Sequence, residues 1–119
     1  MSPLAEVTLE ADGDTVVAHV HGEVDLSNVD DIRTVLIEVV SHELECLVLD
    51  LTDTTYLDST GVRLLFELAE RLHGRRQELR LVVNEEAMVH RVIVLTQLNQ
   101  RVPLDDTVDA ALSALRGAP

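Results

Sequence analysis

The sequence has no lysine and no tryptophan, a single cysteine, and aromatic residues at only 2 %. All nine of its strongly basic residues are arginine. Without lysine there is no Ser-Lys catalytic pair, and no cation of the kind that balances an aspartate-based phosphotransfer pocket. One cysteine cannot form an intramolecular disulfide. It stands in the apolar run Cys46-Leu47-Val48-Leu49 and reads as a small buried hydrophobe. The five glycines are scattered, so no glycine-rich loop is available to cradle a phosphate. No stretch of about 18 apolar residues occurs, which excludes a membrane-spanning helix. Met1-Ser2-Pro3-Leu4-Ala5-Glu6 lacks the basic and apolar regions of a signal peptide, so a cytoplasmic protein with no membrane partner is expected.

What is present fits one domain. The chain has 119 residues, 46 % of them hydrophobic, enough for a single core built from Leu, Val and Ile. The expected unit is residues 1–119, with an ordered core over about 4–116. The formal net charge is −13. Such a chain repels phosphate backbones, so direct nucleic-acid binding is not expected. The acidity suits docking on a basic protein surface, and it also serves solubility.

Two strand-like runs, Val7–Glu10 and Thr15–His21, flank the turn sequence Asp12-Gly13-Asp14 and predict a hairpin. Gly22–Leu26 reads as a short loop. Ser27 or Asn28 can cap a helix whose apolar face is Val29, Ile32, Leu36, Val39 and Val40, and which fades near Ser41-His42-Glu43. Leu47–Leu51 reads as a buried central strand and Thr52–Leu57 as a loop. A second helix opens near Ser59, buries Val62, Leu65, Leu68, Ala69 and Leu72, and ends at Gly74. Leu79–Val83 is a strand, and a helix follows over roughly Glu86–Thr96. Arg101–Leu104 is an edge strand, because Pro103 cannot donate to a ladder. A last helix starts at Asp105–Thr107 and faces the core with Val108, Ala111, Leu112 and Leu115. The order ββαβαβαβα predicts an α/β domain with about four helices. Its mixed, mostly parallel sheet carries an N-terminal hairpin, and one face is covered more fully than the other.

Catalytic patterns are scarce. A nucleophile elbow needs glycine two residues before the serine, and Leu57 stands there before Ser59. His42-Glu43 lacks the second histidine of a zinc-protease motif. His19 and His21 share a strand face without third and fourth ligands nearby, so they read as structural or solvent-facing. Asp50, Asp53 and Asp58 fall in one strand-to-helix segment and read as solvated loop carboxylates. Asp58-Ser59-Thr60-Gly61 then opens a helix. Small polar residues there can simply satisfy the free amides of the first turn. A serine at an exposed helix start is also within reach of a kinase and tolerates a phosphate.

Asp58-Ser59-Thr60-Gly61-Val62 resembles the Asp-Ser-(Ser/Thr)-Gly-(Leu/Val) motif of STAS-domain anti-sigma factor antagonists. Gly22-Glu23-Val24-Asp25 resembles the Gly-Glu-(Leu/Val)-Asp loop of the same family, and Leu47–Leu51 is similar to its central strand. The resemblance extends over nearly the whole chain. It implies a single non-enzymatic STAS domain in a bacterial partner-switching system. Ser59 would be phosphorylated by an anti-sigma factor that is also a serine kinase, and a PP2C-type phosphatase would reverse it. The unphosphorylated form would bind the anti-sigma factor and free the sigma factor. ATP would be the partner kinase's cofactor, and this chain would hold no cofactor or metal of its own. The implied partner-binding residues are Glu23, Asp25, Asp58, Ser59, Thr60, Gly61 and Val62, with Asp58 positioning Ser59, and Thr60 and Gly61 shaping the helix start. A STAS scaffold or nucleotide-sensing subunit that does not switch at Ser59 is the alternative. The sequence departs from the family at Gln97, where glycine is common, and at Glu86-Ala87-Met88, where a proline often precedes the helix.

Overall fold

The computed structural model describes residues 5–41 and 43–116. Leu4, at the edge of the expected core, and His42, at the expected fade of the first helix, lie outside the described residues.

The hairpin forms as the turn sequence requires. β1 (Ala5–Asp12) pairs antiparallel with β2 (Thr15–Val24), and Asp12 opposite Thr15 leaves a two-residue turn at Gly13-Asp14. α1 (Val29–Val39) follows, then β3 (Cys46–Asp50), buried along its full length. Next come β4 (Thr54–Leu57), α2 (Ser59–Gly74) and β5 (Glu78–Val82). α3 (Met88–Leu95), a 3-10 turn at Leu98–Gln100, β6 (Leu104–Asp105) and α4 (Val108–Leu115) complete the chain. The sheet order is β1-β2-β3-β5-β6, with β4 paired to β2 and every pair after the hairpin parallel.

Several elements differ from the sequence reading. Thr52–Leu57 is not all loop, since its last four residues form β4 on the end of β2. Correspondingly, β2 runs through Val24, so Gly22–Val24 is strand. Gly22 makes this possible. Its φ of 97° is open essentially to glycine alone, and the register shifts between Gly22 and Glu23. β2 pairs with β3 before that point and with β4 after it. The edge strand is also displaced, since β6 is Leu104–Asp105 and not Arg101–Leu104. α2 ends at Gly74, as its sequence predicts, and the left-handed position falls on Arg76, with φ 60°.

The two sheet faces are covered unequally. Ala18, Val20, Leu47, Leu49, Leu79 and Leu81 form one face with α1, α2 and α3 packed on it. Val17, Cys46, Val48 and Val82 form the other, covered by Ala111 of α4 with Val108, Leu112 and Leu115. Each fully buried leucine contributes about 1.5–3 kcal/mol relative to exposure, so the leucine-rich three-helix face is the main source of stability. Burial pushes the Cys46 thiol up to about 12, which leaves it inert. Arg80 fastens the short edge strand. It donates to both carboxylate oxygens of Asp105, at 2.8 and 3.2 Å, and to Glu78 at 2.8 Å. Gln97 takes φ 65° at the end of α3, where glycine would rest without strain. Among the described residues no helix is long and apolar enough to cross a membrane.

Candidate functional site

The two motifs lie more than thirty residues apart in sequence and meet at the same end of the sheet. β2 delivers Glu23 opposite Tyr56 of β4, and Val24 opposite Leu57. Beyond them the loop from Asp25 to Asn28 is held by its own side chains. Asn28 is buried, accepts from the Asp25 amide at 3.0 Å and donates to the Glu23 carbonyl at 2.8 Å. Asn28 occupies the cap position of α1, yet its side chain is turned into the loop and makes no capping bond. The Ser27 hydroxyl donates to the Asp25 carboxylate. The sequence reading gave these residues a capping role, whereas here they brace the loop.

β4 ends at Asp58, which caps α2. One carboxylate oxygen accepts from the Thr60 amide at 2.9 Å, the Gly61 amide at 3.1 Å and the Thr60 hydroxyl. The other oxygen accepts from the Leu26 amide at 3.1 Å, across the gap to the first loop. The Asp58 amide donates to the Val24 carbonyl at 3.2 Å. Burial pushes this carboxyl up. The bonds from the Thr60 hydroxyl and from the Gly61, Leu26 and Thr60 amides outweigh that effect, and the group rests below the ordinary carboxylate range. Asp58 is therefore both the helix cap and the staple between the two motifs.

Ser59 is the first residue of α2 and is exposed. Among the described residues its hydroxyl makes no hydrogen bond, whereas those of Thr60 and Ser27 are committed to carboxylates. Glu23 is exposed, and Asp25, Asp58 and Thr60 are half-buried. Gly61 and Val62 are not on this surface. Both are buried, and a β-carbon on Gly61 would lie 2.5 Å from a Leu57 methyl and 3.1 Å from Val24. Their place in the motif is to seat α2 on the sheet. Two exposed apolar residues were missed in the sequence. Leu26 is 75 % exposed beside the staple, and Tyr56 is 42 % exposed on β4. Their signal is that neither belongs to a buried periodic stripe.

Asp50, Asp53 and Asp58 take different partners and do not converge on one site. Asp50 is buried and accepts from the Thr52 amide and hydroxyl, with His19 Nδ1 at 2.6 Å. His19 Nε2 lies 3.1 Å from Glu10, while the exposed His21 and Asp53 pair at 3.2 Å. Among the described residues no group of three His, Cys, Asp or Glu side chains is arranged to hold a metal ion. Glu10 and Asp50 raise the pKa of His19 against the opposing effect of burial. Burial pushes Asp50 up, but the Thr52 and His19 hydrogen bonds bring it below its ordinary value. The stabilisation from a raised His19 is complete below about 6.5 and fades as pH rises through its folded value. That from a lowered Asp50 is complete above about 3.8 and fades as pH falls through its folded value. The contribution of the pair should therefore peak between those limits. The stability difference between wild type and His19→Gln, from urea midpoints, is expected to be largest near about pH 5.5 and to shrink by about pH 9. A difference that stays constant over that range would count against the pairing.

Residues 6–111 match the STAS domain family. No curated protein matches the chain in sequence. Among solved structures, an anti-sigma factor antagonist from Mycobacterium paratuberculosis is similar at 29 % identity and a TM-score of 0.86, with 97 % of each chain covered. The anti-sigma factor antagonist SpoIIAA in its unphosphorylated form is similar at 22 % identity and a TM-score of 0.79, over 96 % of this chain and 99 % of that one. The Bacillus cell fate determinant SpoIIAA in its phosphorylated form is similar at 21 % identity and a TM-score of 0.70, over 93 % and 100 %. At such identities the two SpoIIAA structures speak for the fold alone. The family match, by contrast, runs across both motifs and the sheet that joins them: this chain belongs to the STAS domain family.

Proposed function

We propose that the chain is an anti-sigma factor antagonist switched by phosphorylation of Ser59. The unphosphorylated form binds an anti-sigma factor that is also a serine kinase, and the sigma factor is released. Phosphate on Ser59 ends that binding, and a PP2C-type phosphatase restores it. ATP and the phosphotransfer chemistry belong to the partner, and this chain supplies the acceptor and the docking surface in the cytoplasm.

The observation that carries this reading is the state of the three hydroxyls around Asp58. Those of Ser27 and Thr60 are engaged by carboxylates, and that of Ser59 is exposed without a partner among the described residues. A kinase that presents ATP to this surface meets one free nucleophile on a fixed mount. Asp58 beside it, with Glu23 and Asp25 in the segment stapled to Asp58, makes this end of the sheet acidic, which favours a basic partner surface. The likeness to a structure described as an anti-sigma factor antagonist, at 29 % identity, supports the same role.

Incubation with the cognate anti-sigma factor and ATP is expected to add one phosphate, located on Ser59 by mass spectrometry and missing in Ser59→Ala. Phosphate on Thr60 in place of Ser59 would overturn the assignment. Stable binding with no phosphate transfer would favour the non-switching scaffold.

A further inference from the structure

Arg63 follows Ser59 by one turn of α2 and is exposed. Among the described residues it makes no ion pair and no side-chain hydrogen bond, in a chain with 22 acidic residues. Its other natural neighbour, Glu67 one turn further on, is held by Arg33 of α1 at 3.2 Å. Arg33 is fixed in addition by Asp30 at 2.8 Å. The guanidinium of Arg63 is thus left without a carboxylate on its C-terminal side.

Helix geometry turns it the other way. Side chains on an α-helix lean toward the N-terminus, so a long side chain covers the turn before its own α-carbon. For Arg63 that turn begins at Ser59. Positions i and i+4 stand roughly 5–6 Å apart at the β-carbon, and an anion at i with a cation at i+4 is the favourable order. The remaining charges around residue 59 are acidic: Asp58 at the cap, and Glu23 and Asp25 in the segment stapled to it. Arg63 is the one cation in the first two turns of α2.

We propose that Arg63 is the residue that holds a phosphate on Ser59, its guanidinium donating to the phosphate oxygens across one helical turn. This rests on the phosphorylation of Ser59 proposed above. Arg63 offsets the repulsion from Asp58, Glu23 and Asp25 and favours the dianion, so the modified form is a defined surface with its phosphate laid along α2. Val62 and Leu64, on either side of Arg63, are buried in the core, which fixes where the arginine stem leaves the helix.

The test uses the full chain with phosphoserine installed at position 59 during synthesis, so no kinase is required. Phosphorus NMR titration gives the second pKa of the phosphate in wild type, Arg63→Gln and Arg63→Lys. At low salt Arg63→Gln is expected to raise that pKa by about 0.2–0.4. Arg63→Lys should recover part of the shift, and the difference should collapse at about 1 M salt. Superimposed low-salt curves for wild type and Arg63→Gln would overturn the proposal. Because the phosphate is built in, this result does not depend on whether any kinase acts on Ser59, and the two proposals fail separately.

Discussion

Ser59→Asp is expected to bind the anti-sigma factor at least about 30-fold more weakly than the wild type, a loss of about 2 kcal/mol, while melting within a few degrees of it. The fold should tolerate the charge for three reasons. Ser59 is exposed, its hydroxyl braces nothing among the described residues, and Asp58 continues to cap the helix. A carboxylate in the first turn of a helix is itself favourable, by about 0.3–1 kcal/mol. Long-range attraction to a basic surface does not fall when one more negative charge joins Asp58, Glu23 and Asp25. The loss must then arise at contact, where a charge fitted into a space shaped for a hydroxyl is stripped of water without a partner. Ser59→Ala should keep wild-type affinity, since it removes no bond within the domain. Calorimetric titration and thermal melts separate these effects. A homogeneously phosphorylated protein that bound with unchanged affinity would sink the switch, and the scaffold reading would replace it.

Gly61→Val is expected to act in the opposite way, through stability. The β-carbon alone would lie 2.5 Å from a Leu57 methyl and 3.1 Å from Val24, both of them core residues. Leu57 can give some ground, because the clash is with the end of its side chain. The two further methyl groups of valine have no such room. Overpacking of this kind costs about 1–3 kcal/mol. Valine recovers roughly half a kcal/mol of that by being the better helix former. The net effect is a melting temperature lower by about 5–10 °C, whereas Gly61→Ala should lose less than half as much. The folded fraction of Gly61→Val should still bind. A variant that melted like the wild type but had lost its partner would return Gly61 to the docking surface.

The place of Gly61 could have been read from the sequence. Gly61, Leu65, Leu68 and Leu72 follow one another at spacings of four, three and four, and all are buried on one side of α2. A glycine that continues a leucine stripe marks close approach to the sheet. The hairpin, the central strand and the helices were legible for a similar reason, because turn residues and apolar spacing record local structure directly. β4 was not. Thr54-Thr55-Tyr56-Leu57 has no strong pattern, and its pairing depends on the backbone turn at Gly22, more than thirty residues away. α3 begins at Met88 and not near Glu86, because Asn84 takes the Glu86 amide through its side chain and the Ala87 amide through its carbonyl. The motif residues were visible, but the staple was not. That one aspartate would cap α2 and also grip the Leu26 amide is a fact of tertiary placement, the two being 32 positions apart.

The staple has a consequence for how a signal could be kept. Asp58 grips both motifs through four hydrogen bonds to its carboxylate, so residue 59 stands on a mount with little slack. A device that works by choosing between two shapes forgets at the rate at which the shapes interconvert, and its resting leak is the population of the minor one. A phosphate on a rigid mount is a different kind of memory. On the proposed switch the record would be a covalent bond that thermal motion of the backbone does not erase, its lifetime set from outside by the enzymes that write and remove it.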